Sequence, residues 1–318
     1  MNNRPSGRFL VTDLVPPGCI ETLEGLGFAV NHIEDLSNEQ LKGMIGDYTG
    51  LVVRTSLTMD AEMIDRALQL KYILRPGSGL DNVDVEYAQS KGILIFNSPE
   101  ANSDAVAEHA LGLLLGLMRF IPRANEQVKN GLWIRKPNTG TLLKGKTVAI
   151  IGYGNTGTAM AKKLRGFETN LLVYDKYKKG FGDGYVKESD METIFEQADV
   201  LSLHIPLTTE SKRLINTDFI SRFQKPFYLI NTSRGKIVDL KAVIQALHSG
   251  RLMGAGLDVL EHEKLSEYEE ADQAILNDLY ASGNVIITPH IAGWTHESRD
   301  NIFYLVLEKF RTYFFGME

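Results

Sequence analysis

Short apolar runs alternate with longer amphipathic segments from Arg8 almost to the end of the chain. In the first third of the chain, runs of strand length are separated by segments whose apolar residues recur every three or four positions, the spacing of a helix. The predicted strands there are Arg8–Thr12, Ala29–His32, Gly50–Val53, Tyr72–Leu74 and Ile93–Phe96. The predicted helices are Ile20–Leu26, Asn38–Ile45, Ala61–Leu70 and Val85–Ser90. Strands that alternate with helices predict a parallel sheet.

The alternation restarts after a long helix, which the spacing predicts over Ser103–Val128 with a kink at Pro122. Further strands are predicted at Thr147–Ile151, Leu171–Tyr174, Val200–His204, Phe227–Ile230, Gly254–Leu257 and Val285–Ile287, before a closing helix at His296–Phe314. At roughly 150 residues per domain, the 318 residues accommodate two domains. The pattern therefore predicts an α/β protein with two parallel sheets.

The composition is that of an ordinary globular protein, with 43% hydrophobic and 23% charged residues. The formal net charge of −6 argues against nucleic-acid or membrane partners. The lone Cys19 cannot form an internal disulfide, which favours a reducing compartment. The N-terminus has no signal-peptide core, and the longest apolar run, Ala110–Met118, is far shorter than the ~20 residues of a membrane span. We therefore expect a cytoplasmic protein, and we expect no metal site.

A glycine-rich turn follows the predicted strand Thr147–Ile151. Gly152 suits the tight turn, Gly154 lets the backbone approach a pyrophosphate, and Gly157 permits close packing of the next helix. Asp175 ends the following strand, where its carboxylate can accept hydrogen bonds from a ribose diol and disfavours the 2′-phosphate of NADP. The turn therefore predicts a site for NAD, a preference that the nearby lysines weaken: Lys176, Lys178 and Lys179.

Polar clusters follow three later strands, at Asn231–Gly235, Leu257–Glu263 and Thr288–Gly293. Ligands in open α/β sheets bind at the carboxyl ends of the strands, so these clusters are expected to converge there. Together with Leu142–Gly157 and His204–Thr208, they resemble the signatures of the D-isomer-specific 2-hydroxyacid dehydrogenase family over essentially the whole chain.

The resemblance implies catalytic roles for Arg234, Glu263 and His290. An arginine offers a planar fork of donors to the carboxylate and carbonyl of a 2-oxo acid, and a histidine can give or take the proton at the carbonyl oxygen. A glutamate beside that histidine raises its pKa and fixes its orientation. The cofactor contacts that the resemblance implies, besides the three glycines, are Ser78, Asn155, Thr156, Asp175, His204, Ile205, Pro206, Thr232, Asp258, His290 and Gly293.

The segment Leu74–Asp84 is similar to the substrate loop of the family, and the backbone N–H groups of Ser78 and Gly79 can cradle a carboxylate. At Arg54, Arg75 and Asn102 the sequence resembles the family members that act on 3-phosphoglycerate. The two arginines suit that substrate, because a phosphate needs a cationic pocket. In the alternative interpretation, Arg54 binds the carboxylate of any 2-hydroxy acid and Arg75 makes a structural ion pair.

The sequence departs from the family pattern at a few positions. Lys264 follows the predicted catalytic glutamate where a proline is usual, and Trp294 stands where the phosphoglycerate enzymes often have a small serine. Leu80 is a variable position of the substrate loop. These departures bear on the choice of substrate rather than on the hydride chemistry.

The resemblance also implies an architecture of two Rossmann-like domains. Residues 1–103 and 294–318 would form a discontinuous substrate domain, residues 104–293 an inserted NAD-binding domain, and the active site would lie between them. It further implies a homodimer that uses the long helix and the arm near Trp133, and because the given sequence ends at Glu318 we expect no regulatory domain. Two classes of alternative stay open. In the first, the protein is a glyoxylate or hydroxypyruvate reductase or another D-2-hydroxyacid dehydrogenase. In the second, it is a non-catalytic NAD-sensing protein like the corepressors of this fold.

Overall fold

The computed structural model describes residues 6–315 of the chain, which divides into two compact units. The first unit consists of Met1–Asn102 and Trp294–Glu318, and the second of Ser103–Gly293. Each unit contains one sheet, and every pairing between its strands is parallel. The α/β prediction with two parallel sheets is therefore confirmed.

The first unit has a five-stranded sheet in the order β2-β1-β3-β4-β5. Its strands are β1 Gly7–Val11, β2 Phe28–His32, β3 Gly50–Val52, β4 Tyr72–Arg75 and β5 Leu94–Asn97. Its helices are α1 Cys19–Gly25, α2 Asn38–Met44, α3 Ala61–Arg66, α4 Val85–Ser90 and, from the end of the chain, α12 His296–Phe315. Each predicted strand and helix of this part is present, with bounds that differ by a few residues.

An aromatic cluster packs α12 against this sheet. The rings of Phe9 and Phe310 lie 5.4 Å apart between centroids, and Tyr72 and Phe310 lie 5.1 Å apart, both edge to face. Gly50 makes room for this cluster, because a Cβ atom there would come within 2.1 Å of the Phe9 ring. The last helix is thereby part of the core of the first unit, as the predicted discontinuity requires.

The second unit has a seven-stranded sheet in the order β12-β11-β10-β9-β6-β7-β8. Its strands are β6 Thr147–Ile151, β7 Asn170–Tyr174, β8 Val186–Glu188, β9 Val200–Leu203, β10 Phe227–Asn231, β11 Leu252–Leu257 and β12 Val285–Ile287. Its helices are α5 Ser103–Met118, α6 Ile121–Lys129, α7 Asn155–Leu164, α8 Met191–Gln197, α9 Thr217–Ser221, α10 Leu240–His248 and α11 Glu270–Ala281. The chain order reverses between β6 and β9, which in such sheets is where ligands bind.

The second unit differs from the prediction in two places. The long helix is two helices, because Phe120 takes a left-handed conformation (φ 51°) that ends the helical path between α5 and α6. Pro122 lies in the first turn of α6, where a missing N–H costs nothing, so it does not cause the break. The edge strand β8 was not predicted, since its short sequence includes the exposed, charged Lys187 and Glu188 and offers no apolar run.

Among residues 6–315, no single helix has both the length and the hydropathy needed to cross a membrane. The pair α5 and α6 reaches that threshold only when combined, and its two members are bent by 63°.

Candidate active site

His290 and Glu263 lie at the carboxyl end of the second sheet, in the loops that follow the neighbouring strands β12 and β11. The Nδ1 atom of His290 is 2.9 Å from Oε2 of Glu263, and both side chains remain nearly half exposed. This hydrogen bond raises the pKa of His290, and burial and the charge of Arg234 oppose the shift. Because Nδ1 is engaged, Nε2 is the atom that can exchange a proton with a ligand.

The backbone of His290 is left-handed, with a φ of 55°. A residue other than glycine in this region costs about 1–3 kcal/mol and is held there only by its surroundings. The N–H of His290 donates to the backbone oxygen of Asp258 at 2.7 Å, which fixes the turn. The imidazole is therefore presented by a strained loop rather than by a regular strand or helix.

The Asp258 carboxylate holds this loop in place through hydrogen bonds. It is completely buried, and it accepts hydrogen bonds from the Thr288 hydroxyl at 2.6 Å and from the N–H groups of Ile291 at 3.0 Å and Ala292 at 2.8 Å. A buried carboxylate is stable only with such donors, so it draws the segment 288–292 around itself. The predicted contact of Asp258 with the cofactor stays a prediction, and the structure adds this positioning role.

Sequence analysis did not single out His109 on α5, which completes the support. Its Nε2 atom is 2.9 Å from the Thr288 hydroxyl and 3.5 Å from Oδ1 of Asp258. His109 and Thr288 are 179 residues apart in the chain, so no local spacing connects them. The available signal was a histidine on a helix whose other residues are mostly apolar.

Arg234 lies in the loop after β10, and the side chain of Asn231 shapes that loop. The Asn231 amide donates to the backbone oxygen of Arg234 at 3.0 Å and accepts from the N–H of Ser233 at 3.0 Å. The guanidinium is partly buried and donates to the backbone oxygen of Ser233 at 2.7 Å. Its charge acts on His290, so the structure brings the three predicted catalytic residues into one electrostatic group.

The three glycines of the turn after β6 have different surroundings. Gly152 has a φ of +97°, and a Cβ atom there would lie 2.2 Å from the backbone oxygen of His204. A Cβ atom at Gly157 would lie 2.0 Å from the backbone oxygen of Gly152. Gly154, by contrast, faces open space at the N-terminus of α7. The crowding explains two of the glycines, and the third leaves room for a phosphate at a helix N-terminus.

Asp175 is held by the same turn. Its carboxylate accepts hydrogen bonds from the N–H groups of Tyr153 at 2.7 Å and of Tyr177 and Lys178 at 2.9 Å each. Burial opposes ionisation, but these donors lower the pKa of Asp175, so it carries a negative charge at neutral pH. A fixed negative charge here suits a ribose diol and repels a 2′-phosphate.

Among the buried polar atoms that lack a hydrogen-bond partner in the described part of the chain, two belong to predicted cofactor residues: Nδ1 of His204 and Oγ1 of Thr232. The other ring nitrogen of His204 is 2.8 Å from the Ser202 hydroxyl, and burial lowers the pKa of His204 to about 4, so it is neutral. A buried polar atom without a partner is unfavourable in the free protein, and a bound ligand can supply the missing hydrogen bond. With the room at Gly154 and the charge of Asp175, they fit a dinucleotide.

The remaining predicted cofactor residues of this unit lie at the same end of the sheet or beside it. Asn155 and Thr156 form the first turn of α7, and Ile205 and Pro206 follow β9. Gly293 is the last residue of the unit.

Arg54 follows β3, Arg75 is the last residue of the neighbouring strand β4, and Ser78 and Gly79 lie in the loop after β4. Arg54 is anchored through its backbone, which donates to Asp13 at 3.1 Å and accepts from Asn82 at 2.5 Å. Its guanidinium lies 6.0 Å from the ring centroids of Trp294 and Phe303. Among the described residues, no carboxylate lies within ion-pair distance of it, so its charge is available to an anion.

Arg75 is in a different environment, with only 8% of its surface exposed. Its Nη1 atom donates to the backbone oxygen of Pro76 at 3.2 Å and covers Gly77, where a Cβ atom would come within 2.1 Å of it. The adjoining loop is tied down as well, because the Asn97 amide donates to the backbone oxygen of Ser78 at 2.9 Å. Arg75 thus packs on the substrate loop that contains Ser78 and Gly79. Asn102, the last residue before the second unit, is half-buried.

A family model for the NAD-binding domain of D-isomer specific 2-hydroxyacid dehydrogenases matches residues 111–292. The chain belongs to this family. A hydroxypyruvate reductase of Thermotoga maritima is 37% identical over 276 residues, which cover 87% of this chain and 88% of that protein. A D-3-phosphoglycerate dehydrogenase of Archaeoglobus fulgidus is 35% identical over 303 residues, 95% of this chain and 56% of the relative. The chain thus spans little more than half the length of that relative.

Solved structures of the family share the fold of this dehydrogenase. The D-lactate dehydrogenase of Aquifex aeolicus, complexed with NAD and lactic acid, superposes with a TM-score of 0.82 at 28% identity, covering 97% of this chain and 96% of that chain. Residues 111–292 are therefore an NAD-binding domain, and the protein is an oxidoreductase of the D-2-hydroxyacid dehydrogenase family.

The raised pKa of His290 generates a prediction for the pH profile of this dehydrogenase. Removing the negative charge in Glu263→Gln should lower the pKa of His290, so the protonated form needed for keto-acid reduction is lost at a lower pH. The alkaline limb of kcat/KM for reduction, followed by NADH absorbance, should therefore move to lower pH. Glu267→Gln is the matched control, since Glu267 pairs with Lys264 and leaves the limb in place. An unmoved limb in Glu263→Gln contradicts the assignment.

Proposed function

We propose that this protein transfers hydride between NAD and C2 of a D-2-hydroxy acid, and that the preferred pair is 3-phosphoglycerate and 3-phosphohydroxypyruvate. The 2.9 Å contact between His290 and Glu263 carries the proposal, because it prepares a charged imidazole at the carboxyl end of a dinucleotide-binding sheet. NAD, when bound, supplies the hydride acceptor, and its reduced form supplies the donor.

The residues of the chain provide binding and proton transfer. In reduction, the carbonyl oxygen receives the proton of Nε2 of His290 as hydride reaches C2, which leaves a neutral imidazole that regains its proton from water. Glu263 stabilises the protonated ring and fixes its tautomer. Arg234 offers N–H groups to the carboxylate and carbonyl oxygens of the 2-oxo acid. Oxidation runs through the same groups in reverse.

The phosphorylated substrate is supported by Arg54. Its guanidinium is held beside two aromatic rings and has no carboxylate partner in the described part of the chain, which suits a dianionic phosphate. On this basis we propose that the protein acts at the entry to serine synthesis. The single free cysteine, Cys19, supports a location in the cytoplasm.

A second candidate is reduction of unphosphorylated hydroxypyruvate or glyoxylate. The burial of Arg75 favours it, because the side chain is engaged with the backbone of Pro76 and one cation of the expected phosphate pocket is used in packing. The Thermotoga maritima relative that is a hydroxypyruvate reductase supports it as well.

We further propose that the protein is a homodimer. The arm after α6 exposes a cluster of apolar side chains, of which Trp133 is 76% exposed and Leu132 50%. Leu142, a few residues further on, is 68% exposed. Such a cluster is costly in water unless another chain covers it.

The function is tested by following NADH oxidation with 3-phosphohydroxypyruvate, hydroxypyruvate, glyoxylate and pyruvate side by side. We expect turnover, with the phosphorylated acid preferred, and a loss of about 10²–10⁴-fold in His290→Ala, because its proton donor is gone. Thermal unfolding of the variant checks that the fold is intact. Preference for an unphosphorylated acid supports the second candidate, and no turnover with any acid favours an NAD-sensing role.

The role of Arg54 is tested by Arg54→Gln. If Arg54 binds the phosphate, kcat/KM for 3-phosphohydroxypyruvate should fall roughly 10²-fold while that for hydroxypyruvate changes little. Arg66→Gln is the control, since Arg66 is an exposed arginine of the same unit paired with Glu62. An equal loss with both acids would show instead that Arg54 contacts their common carboxylate.

The homodimer is tested by sedimentation velocity on Trp133→Glu. A charge in the centre of a buried apolar contact should shift the dimer to monomer at micromolar concentration. Leu68→Glu is the matched control, because Leu68 is 86% exposed on the first unit and lies outside the arm. A wild-type protein that sediments as a monomer would refute the proposal.

A further inference from the structure

The second unit contains a groove of about 600 Å³ that the catalytic set does not use. It lies among the start of α10, the helix α11 and the two loops that contain Arg234 and Glu263. This volume is within the range of about 300–1,000 Å³ that holds a small organic ligand. We call it the basic groove after three of its lining residues, Lys212, Lys236 and Lys241.

The floor of the basic groove is apolar. Leu240 on α10 and Ile275 and Leu276 on α11 line it, and each packs against the core of the sheet while remaining partly exposed. Partly exposed apolar side chains within a concavity gain free energy when a ligand covers them.

The rim of the basic groove has four cationic residues, the three lysines and Arg213, against the three carboxylates of Asp239, Glu261 and Asp272. Within residues 6–315, no carboxylate lies within ion-pair distance of the ammonium groups of the three lysines. Two acids of the lining already have partners. Glu261 lies 3.7 Å from Arg213, and the Asp239 carboxylate caps α10 by accepting hydrogen bonds from the N–H groups of Lys241 and Ala242. Asp272 on α11 is the remaining acid of the lining. An anionic group would thus find three ammonium groups around an apolar floor.

One acceptor within the groove is also unsatisfied. The Oε1 atom of Glu261 is buried and has no hydrogen-bond partner among the described residues, although Oε2 faces Arg213. A buried carboxylate oxygen without a donor is unfavourable, so a ligand with an N–H or O–H group would stabilise it.

The groove and the catalytic residues share their loops. Lys236 lies two residues after Arg234, and Glu261 lies two residues before Glu263. The loops are in backbone contact, since a Cβ atom at Gly235 would come within 1.8 Å of the backbone oxygen of Leu260. A ligand that draws Lys236 and Glu261 together therefore acts on the segments that position Arg234 and Glu263.

We propose that the basic groove binds a small organic anion with an apolar body and a hydrogen-bond donor, and that its occupancy alters the catalytic loops. The anionic group contacts Lys212, Lys236 and Lys241, and the apolar part covers Leu240, Ile275 and Leu276. The binding is independent of the proposed function, whereas an effect on turnover rests on it.

Binding is tested with 8-anilinonaphthalene-1-sulfonate, which has a sulfonate, two aromatic groups and one N–H. Its fluorescence is titrated at saturating NAD, so that the dinucleotide site is occupied. We expect one site per chain, and an affinity lower by about tenfold in the double variant Lys236→Gln/Lys241→Gln, the equivalent of about 1.4 kcal/mol. The matched control is Lys162→Gln/Lys187→Gln, which removes two exposed lysines of the same unit outside the groove.

Two results would overturn the site: equal affinity in both double variants, or complete loss of the fluorescence signal when NAD is added. Circular dichroism and thermal unfolding verify that the variants fold.

The coupling is tested by hydrogen exchange of the segments 234–237 and 260–263, which needs no substrate. Saturating the groove should slow their exchange in the wild type and not in Lys236→Gln/Lys241→Gln. The same concentration of the sulfonate should change kcat/KM for the preferred 2-oxo acid in the wild type alone. Binding with unchanged exchange refutes the coupling, and slowed exchange in a protein without turnover locates the failure in the proposed function instead.

Discussion

The candidate site depends on one buried charge, the carboxylate of Asp258. A fully buried carboxylate has to collect hydrogen-bond donors, and Asp258 takes them from Thr288, Ile291 and Ala292. These donors surround His290 in the chain, so satisfying the carboxylate also determines the path of the loop. The unfavourable left-handed conformation of His290 is the consequence, and its cost is offset by the hydrogen bonds that the buried charge demands.

Parallel strands explain why the residues of the site meet at all. The strands β10, β11 and β12 are neighbours, and each of the loops at their carboxyl ends supplies one charged side chain. The pKa of His290 then reflects opposing neighbours: the Glu263 carboxylate raises it, while burial and the Arg234 charge lower it. The net effect is a raised pKa, so the charged form of the imidazole is stabilised while the ring can still give a proton and take it back, as a reversible dehydrogenation requires.

Arg54 and Arg75, the two predicted substrate arginines of the first unit, differ in the burial of their side chains. Arg54 follows β3 and Arg75 ends the neighbouring strand β4, but Arg54 keeps its charge available beside Trp294 and Phe303, whereas the guanidinium of Arg75 packs against Gly77. The first is suited to binding an anion and the second to fixing the loop backbone.

The sequence by itself determined the elements and the chemistry that depend on local order. Alternating apolar runs and helical spacing predicted the two parallel sheets, and the spacing of Gly152, Gly154 and Gly157 predicted the turn, because a tight turn constrains residues that are close in the chain. The edge strand β8 escaped prediction, since an exposed strand needs no apolar residues, and the break at Phe120 did so because its left-handed conformation has no local signature. Only the tertiary structure decided the contact of His109 with Thr288, the burial of Arg75 and the basic groove. The contact of His109 and the basic groove join segments that are distant in sequence, and the burial of Arg75 depends on how its loop packs, which no spacing of residues along the chain specifies.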